Sequence, residues 1–210
     1  MTYCSFEIRS WCRISNDTVI LNNHRTISRN GTEAEWLSEI YRTSGIQHPA
    51  FFKMDNLCKA GFLAAELLLD KETPPQDIND KRAIVLMNRA SSLDDDRRYQ
   101  TTIQDADNYY PRPAVFVYTL ANIVTGEIAI RHKIGGESSF FVFSSFSAQR
   151  IASIAEATFR SNPEIEDMLC GWTDYDNGNC DVLMLHVCRT DIPADRTALA
   201  NRIENLYNII

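Results

Sequence analysis

Long apolar runs are missing from this sequence: no stretch approaches the roughly 20 residues that a membrane-spanning helix needs. It also lacks a basic tail or basic helix. Its lysines and arginines are scattered and the net charge is −7, which excludes nucleic acid and an anionic membrane as the main partner. The first residues carry neither a basic n-region nor an apolar h-region, so no secretory signal is expected and the reading is cytoplasmic. The sequons at Asn16 and Asn30 are then chance matches. Low-complexity blocks are absent. With 44% hydrophobic residues against 23% charged, the chain can bury a substantial core, and residues 1–210 suit a single domain.

Common catalytic and cofactor motifs are missing as well. There is no GxSxG elbow, no P-loop, no GxGxxG and no HExxH, so no cofactor is expected. Six cysteines (Cys4, Cys12, Cys58, Cys170, Cys180 and Cys188) lack CxxC or HxxxH spacing, and no metal is expected. They read as reduced, half-buried small apolar residues. His186 and Cys188 share a strand face and, with Cys170 or Cys180, come nearest to a ligand set. The four histidines are far apart in sequence, and His132 reads as a cation at a helix end.

What is present is an alternation of strand and helix signals. Residues 4–11 alternate Cys4, Phe6 and Ile8, a strand pattern. Residues 13–49 are turn-rich, with Asn22-Asn23 and Asn30-Gly31 as turns and a short helix over 33–41. The i, i+3, i+4 spacing over 54–70 predicts a helix stopped by Pro74-Pro75, and its small residues at 60, 61, 64 and 65 predict close packing. Residues 83–87 form a short apolar run, expected to be a strand buried on both faces. Residues 91–98 read as a loop or helix start, acidic residues first and arginines after, in accord with the helix dipole. Apolar positions 117, 120, 121, 124 and 128 predict one helix over 117–132, ended by Gly135-Gly136. An aromatic strand over 139–143 precedes a helix over 148–160. Strands over 167–172 and 181–188 flank a turn at Asn177-Gly178, and a helix over 194–207 closes the series. This order predicts an α/β fold, a mixed β-sheet covered by helices.

One segment says more. Pro111-x-Pro113-x-x-Phe116-x-x-Thr119-x-x-Asn122-x-x-x-Gly126-x-Ile128-Ala129 is followed by Gly136 and by the strand-to-helix passage from Phe140 to Gln149. Downstream stands Asp167-Met-Leu-Cys-Gly171, and upstream lie Lys53-Met-Asp55 and the strand over 83–87. This series resembles the N-terminal half of the β-ketoacyl-ACP synthases of the thiolase-like superfamily, most clearly over 50–188. Within it, the chain is similar to short synthase-like accessory proteins of aryl polyene and flexirubin-type clusters.

The resemblance implies a thiolase-like half-fold and sets expectations for the site. The synthase nucleophile, a cysteine at a helix N-terminus, would fall at Ser145, or at Phe146 with a one-residue slip, with Ser144 adjacent. Neither position is cysteine, and a serine there would need a dedicated base. The synthase histidines belong to the second half of the fold and have no counterpart here. The half-fold reading also implies an uncovered apolar face on the helix over 148–160 and an exposed aromatic edge at residues 140–143. Thr119, Asn122, Gly126, Phe140, Phe141 and Phe143 are then the expected interface residues.

These implications point to a non-catalytic subunit of fatty acid or polyketide-type biosynthesis. Its partner would be a second copy or a catalytic 3-oxoacyl-ACP synthase, with an acyl carrier protein as a further partner. Two alternatives stand beside it. One is an acyltransferase or acyl-hydrolase using Ser145 or Ser144 with His132 or His186 as base. The other is a stand-alone acyl-binding domain with a pocket beside residues 140–146.

Overall fold

The computed structural model describes residues 5–32, 35–69, 76–190, 192 and 195–209. Cys4, Glu33, Asp70, Pro74, Pro75 and Ala194, at the ends of expected elements, lie outside the described residues. Among the described residues, seven strands form one mixed sheet: β1 (Ser5–Ile14), β2 (Thr18–Leu21), β3 (His24–Ser28), β4 (Arg82–Asn88), β5 (Ser138–Val142), β6 (Asp167–Asp176) and β7 (Asn179–Thr190). Their spatial order is β3-β2-β1-β7-β6-β4-β5. β4 runs parallel to both β5 and β6, and the other pairings are antiparallel.

Helices cover both faces. On one lie α1 (Trp36–Thr43), α2 (Asn56–Leu69) and α5 (Ile123–His132), around a core that includes Ile40, Phe62, Leu63, Val124 and Ile128. On the other lie α6 (Ala148–Ser161) and α7 (Arg196–Tyr207), with Ile151, Phe159 and Ile203 packed on Phe6 and Trp11. β4 explains its own continuous apolar run: Ile84 and Leu86 enter the first core, Ala83, Val85 and Met87 the second. Side chains of successive residues alternate across a sheet, so a strand between two helix layers is apolar throughout.

Close packing of the small residues in α2 is seen directly. Ala60, Ala64 and Ala65 are fully buried. A Cβ on Gly61 would come within 2.5 Å of Val124 on α5. The hairpin turns are built as their sequences suggest, with positive φ at Asn22 and Asn23 between β2 and β3, and at Asn177 and Gly178 between β6 and β7. Two positive-φ residues match the right-handed twist of the flanking strands.

Several expectations need correction. The turn-rich region holds two strands, β2 and β3, which were not anticipated. Strands β6 and β7 run nearly to the turn and make one long hairpin. Residues 91–98 do become a helix, α3 (Leu93–Gln100). The single helix over 117–132 is instead α4 (Pro113–Phe116), a 3-10 turn and α5, because Leu120 takes extended backbone (ψ 107°) between them. The two helical pieces meet at 98°. α5 ends on Lys133 in the left-handed conformation, two residues before the expected glycine pair. Among the described residues, no single helix is long and apolar enough to cross a membrane.

Candidate functional site

β5 leads through residues 143–147 into α6, the passage singled out in the sequence. Ser147 caps the helix, its Oγ accepting from the Arg150 N–H at 3.4 Å. Ser144 and Ser145 are exposed, and neither makes a hydrogen bond with another described residue. Phe146 turns inward instead. Its ring stacks on Tyr207 at 3.7 Å and 8°, and meets Trp172 edge-on at 5.9 Å.

Tyr207 is itself fixed. Its hydroxyl donates to Asp181 Oδ2 at 2.6 Å, and the Trp172 indole N–H donates to the same oxygen at 3.1 Å. Arg13 pairs with Asp181 Oδ1 at 2.7 Å, donates to the Tyr207 carbonyl at 3.0 Å, and lies over its ring. Burial, and then the Asp181 carboxylate, hold the Tyr207 phenol protonated above its ordinary range. The start of α6 is thus closed by a packed aromatic side chain, with α7 latched over it. None of Tyr207, Trp172, Asp181 and Arg13 stood out in the sequence, where they lie on four separate elements.

The structure does not join the exposed serines to a base. His132 Nε2 lies 2.9 Å from Glu66 Oε1, and His186 Nε2 lies 3.3 Å from Asp167 Oδ1. Glu66 is further held by Arg131, and Asp167 by Arg82. These cations, with the histidines, keep both carboxyls below their ordinary range despite burial. The described cysteines are all free. Cys12, Cys58, Cys170 and Cys180 are fully rather than half buried. Burial pushes Cys170 and Cys180 up to about 12, the Asp181 carboxylate adding to the rise at Cys180. No group of three or more His, Cys, Asp or Glu among the described residues has the geometry of a metal site.

The helix expected to lose its cover is covered. Ile151, Ala152, Ala155 and Phe159 of α6 are fully buried. α7 lays Leu199, Ala200, Ile203 and Leu206 into the same core. Of the large exposed apolar residues, Tyr109, Tyr110, Phe116, Val117 and Leu120 precede α5 and Phe141 and Val142 lie on β5, while Phe52, Ile78, Leu93, Ile130 and Ile192 are scattered. Thr119, Asn122 and Gly126 do not share one helix. Thr119 ends the 3-10 turn, Asn122 caps α5, and Gly126 sits within α5, where a Cβ would meet nothing within 4 Å.

β5 is an open sheet edge. Ile84 N–H donates to the Glu137 carbonyl and Phe143 N–H to the Asn88 carbonyl, so odd-numbered residues face β4. The backbone groups of Ser138, Phe140 and Val142 therefore point outward. Phe140 packs partly on the first core. Phe141 stacks near-parallel on Phe143, whose ring lies under Arg150. The apolar turn before α5 is anchored from inside: the Ser92 hydroxyl donates to the Thr119 carbonyl at 2.7 Å, and Tyr118 donates to Glu127 at 3.1 Å. Ser92 follows a loop pinned by Asn88, which bonds both ends of Ser91, and by Asp174, which accepts from the Arg89 and Ala90 N–H groups.

This mixed sheet between two helical layers recurs in solved structures. The ishigamide ketosynthase/chain length factor superposes with a TM-score of 0.61 at 14% identity, over 90% of this chain and 63% of the other. The fold is shared with that ketosynthase/chain length factor structure. A complex of the ketosynthase ApeO with its chain length factor ApeC, from Xenorhabdus doucetiae, matches with a TM-score of 0.58 at 13% identity, over 95% of this chain and 91% of the other. A type II acyl-carrier protein in complex with its ketosynthase, AntDE:AntF, contains a chain matching at 0.53 and 14%, over 94% and 64%. The chain thus spans a little under two thirds of the first and third of these and nearly all of the second. No family model matches it, and no curated protein does.

Proposed function

We propose that this chain is a non-catalytic ketosynthase-like subunit of fatty acid or polyketide-type biosynthesis, of the aryl polyene kind, and that it pairs through the β5 edge. The observation that carries the proposal is the β5 strand itself. As an open edge it presents unpaired backbone groups, and it carries the exposed side chains of Phe141 and Val142. Unpaired edges with apolar side chains are templates for another chain. The elbow supports the non-catalytic half of the reading, since it offers no thiol and Phe146 fills the position facing the core. Ser144 and Ser145 lack the base a hydroxyl nucleophile requires. The partner is a second copy or a catalytic synthase, and that assembly is what an acyl carrier protein would visit.

Val142→Pro tests the pairing. Its N–H points away from β4, so proline removes an outward donor at a cost of less than about 1 kcal/mol to the fold. Purified alone and co-expressed with a synthase, the native chain should run as a dimer or heterodimer, and the variant as a monomer of near-native stability. A native chain that stays monomeric with both partners would overturn the pairing. Incubation with acyl-pantetheine thioesters should return unmodified protein by intact mass. An acyl adduct on Ser144 or Ser145 would restore the enzyme reading.

A further inference from the structure

A cavity of about 300 Å³ lies between the end of α3 and the segment entering α4, lined by Arg98, Thr101, Thr102, Tyr110, Arg112 and Val115. Several arginines of this acidic chain are engaged: Arg13, Arg82, Arg131 and Arg196 each pair with a buried or half-buried carboxylate, and Arg89 and Arg97 share Asp176. Of the two in the cavity, Arg112 has a side chain that makes no hydrogen bond or ion pair with any described residue. Arg98 has one contact, 3.6 Å from Asp95 Oδ1, while most of its own side chain stays exposed. The Tyr110 hydroxyl is likewise free of a described partner.

A helix C-terminus repels anions unless its carbonyls are occupied, and here they are. The Arg97 carbonyl accepts from Thr101 N–H, and the Tyr99 carbonyl from Thr102 N–H. The Gln100 carbonyl accepts from Ile103 and Gln104 N–H, and the Thr102 carbonyl from Tyr110 N–H. The Thr101 and Thr102 hydroxyls donate back to the Arg98 and Tyr99 carbonyls at 2.8 Å each. That leaves the Arg112 guanidinium, the Arg98 guanidinium with its one loose contact to Asp95, and one phenol as the donors lining the cavity.

We propose that this cavity binds an organic phosphate monoester. Two guanidinium groups, neither hydrogen-bonded to a described residue and one of them only loosely paired with Asp95, match a doubly charged oxyanion, whereas a carboxylate would neutralise only one. The volume exceeds that of a bare phosphate and falls at the lower end of small-ligand sites. Val115, the tyrosine ring and the arginine stems receive the organic part. The site does not depend on the β5 edge, so either assignment stands or falls without the other.

Phenyl phosphate, inorganic phosphate and benzoate, titrated into the full chain at constant ionic strength and followed by ³¹P NMR and calorimetry, test the assignment. Phenyl phosphate should bind saturably and tighter than inorganic phosphate, with benzoate weakest. Arg98→Ala and Arg112→Ala should each weaken phenyl phosphate about tenfold, as the loss of one charge-assisted contact does. Arg112 is exposed and its side chain has no described partner, so Arg112→Ala should keep the native melting temperature. Arg98→Ala also removes the contact to buried Asp95 and is compared at a temperature where both proteins are folded. Tyr110→Phe provides a second, milder test with a smaller loss. Equal affinity in the native and double-arginine proteins, or benzoate binding as well as phenyl phosphate, would overturn the proposal.

Discussion

Phe146 occupies the junction where a strand hands over to a helix, and its neighbours explain why the position is aromatic. Tyr207 stacks on it, Trp172 closes one side, and Asp181 and Arg13 hold Tyr207 in place. Truncation to alanine removes a half-buried ring and leaves a gap that Tyr207 cannot fill without losing its Asp181 bond. Phe146→Ala should therefore cost about 2–3 kcal/mol in chemical denaturation. Amide exchange should accelerate in α7 ahead of the rest of the sheet. An unchanged α7 would show that the stack does not hold the C-terminal helix. At this scale the sequence was partly legible. Gly61 and the alanines around it announced close packing through their size alone. Phe146 could be located in its loop, yet its role depends on partners distant in sequence, and spacing carries no trace of those.

α5 and the turn before it show why an apolar period is ambiguous. Positions 117, 120, 124 and 128 repeat as one helical face should, but Val117 and Leu120 are exposed while Val124 and Ile128 are fully buried. Periodicity reports that a face is apolar and not what covers it. The extended backbone at Leu120 turns the first part away from the core, and Ser92 fixes the bend by binding the Thr119 carbonyl. Strands β2 and β3 escaped notice for another reason: at four and five residues they are too short to establish a period.

Gly126 gives this region its test. A Cβ there meets open space within the chain, so Gly126→Ala should raise helix stability by up to about 1 kcal/mol. If α5 borders the proposed interface, the same methyl group should weaken pairing. Opposite movement of melting temperature and dimer affinity is the expected signature. Parallel movement would place Gly126 outside the contact.

Across the whole molecule, two buried carboxyls make stability depend on pH in opposite directions. Asp95 is 2% exposed. Burial raises it from 3.8 to about 6, and the negative charges of Asp55, Asp94 and Asp96 add to the effect, against Arg98. Its folded value exceeds its unfolded one, so its contribution is complete below 3.8 and is lost as pH rises through about 6. Glu66 is depressed to about 2 by His132 and Arg131, which outweigh its burial. Its contribution is present above 4.5 and lost as pH falls through about 2. Asp95→Asn should flatten the stability profile across the upper window and leave the acid limb alone, as denaturation at several pH values would show. An unaltered profile would mean that Asp95 titrates normally.

The mixed α/β architecture was legible because strand and helix signals alternate and β4 reads as apolar throughout. The covering of α6 by α7 was not, because which helix packs on which face depends on the path of the chain between them.

The two margins of the sheet are unequal. β5 is regular, while β3, of the same five-residue length, joins β2 through a shifted register. Bulged edges resist extension. Should two copies meet β5 to β5, each would spend its only regular margin, and the united sheet would end on both sides in β3. Such a contact is self-complementary and closes upon itself. Its stoichiometry is two and no more, so raising the protein concentration would fill pairs without lengthening them into filaments.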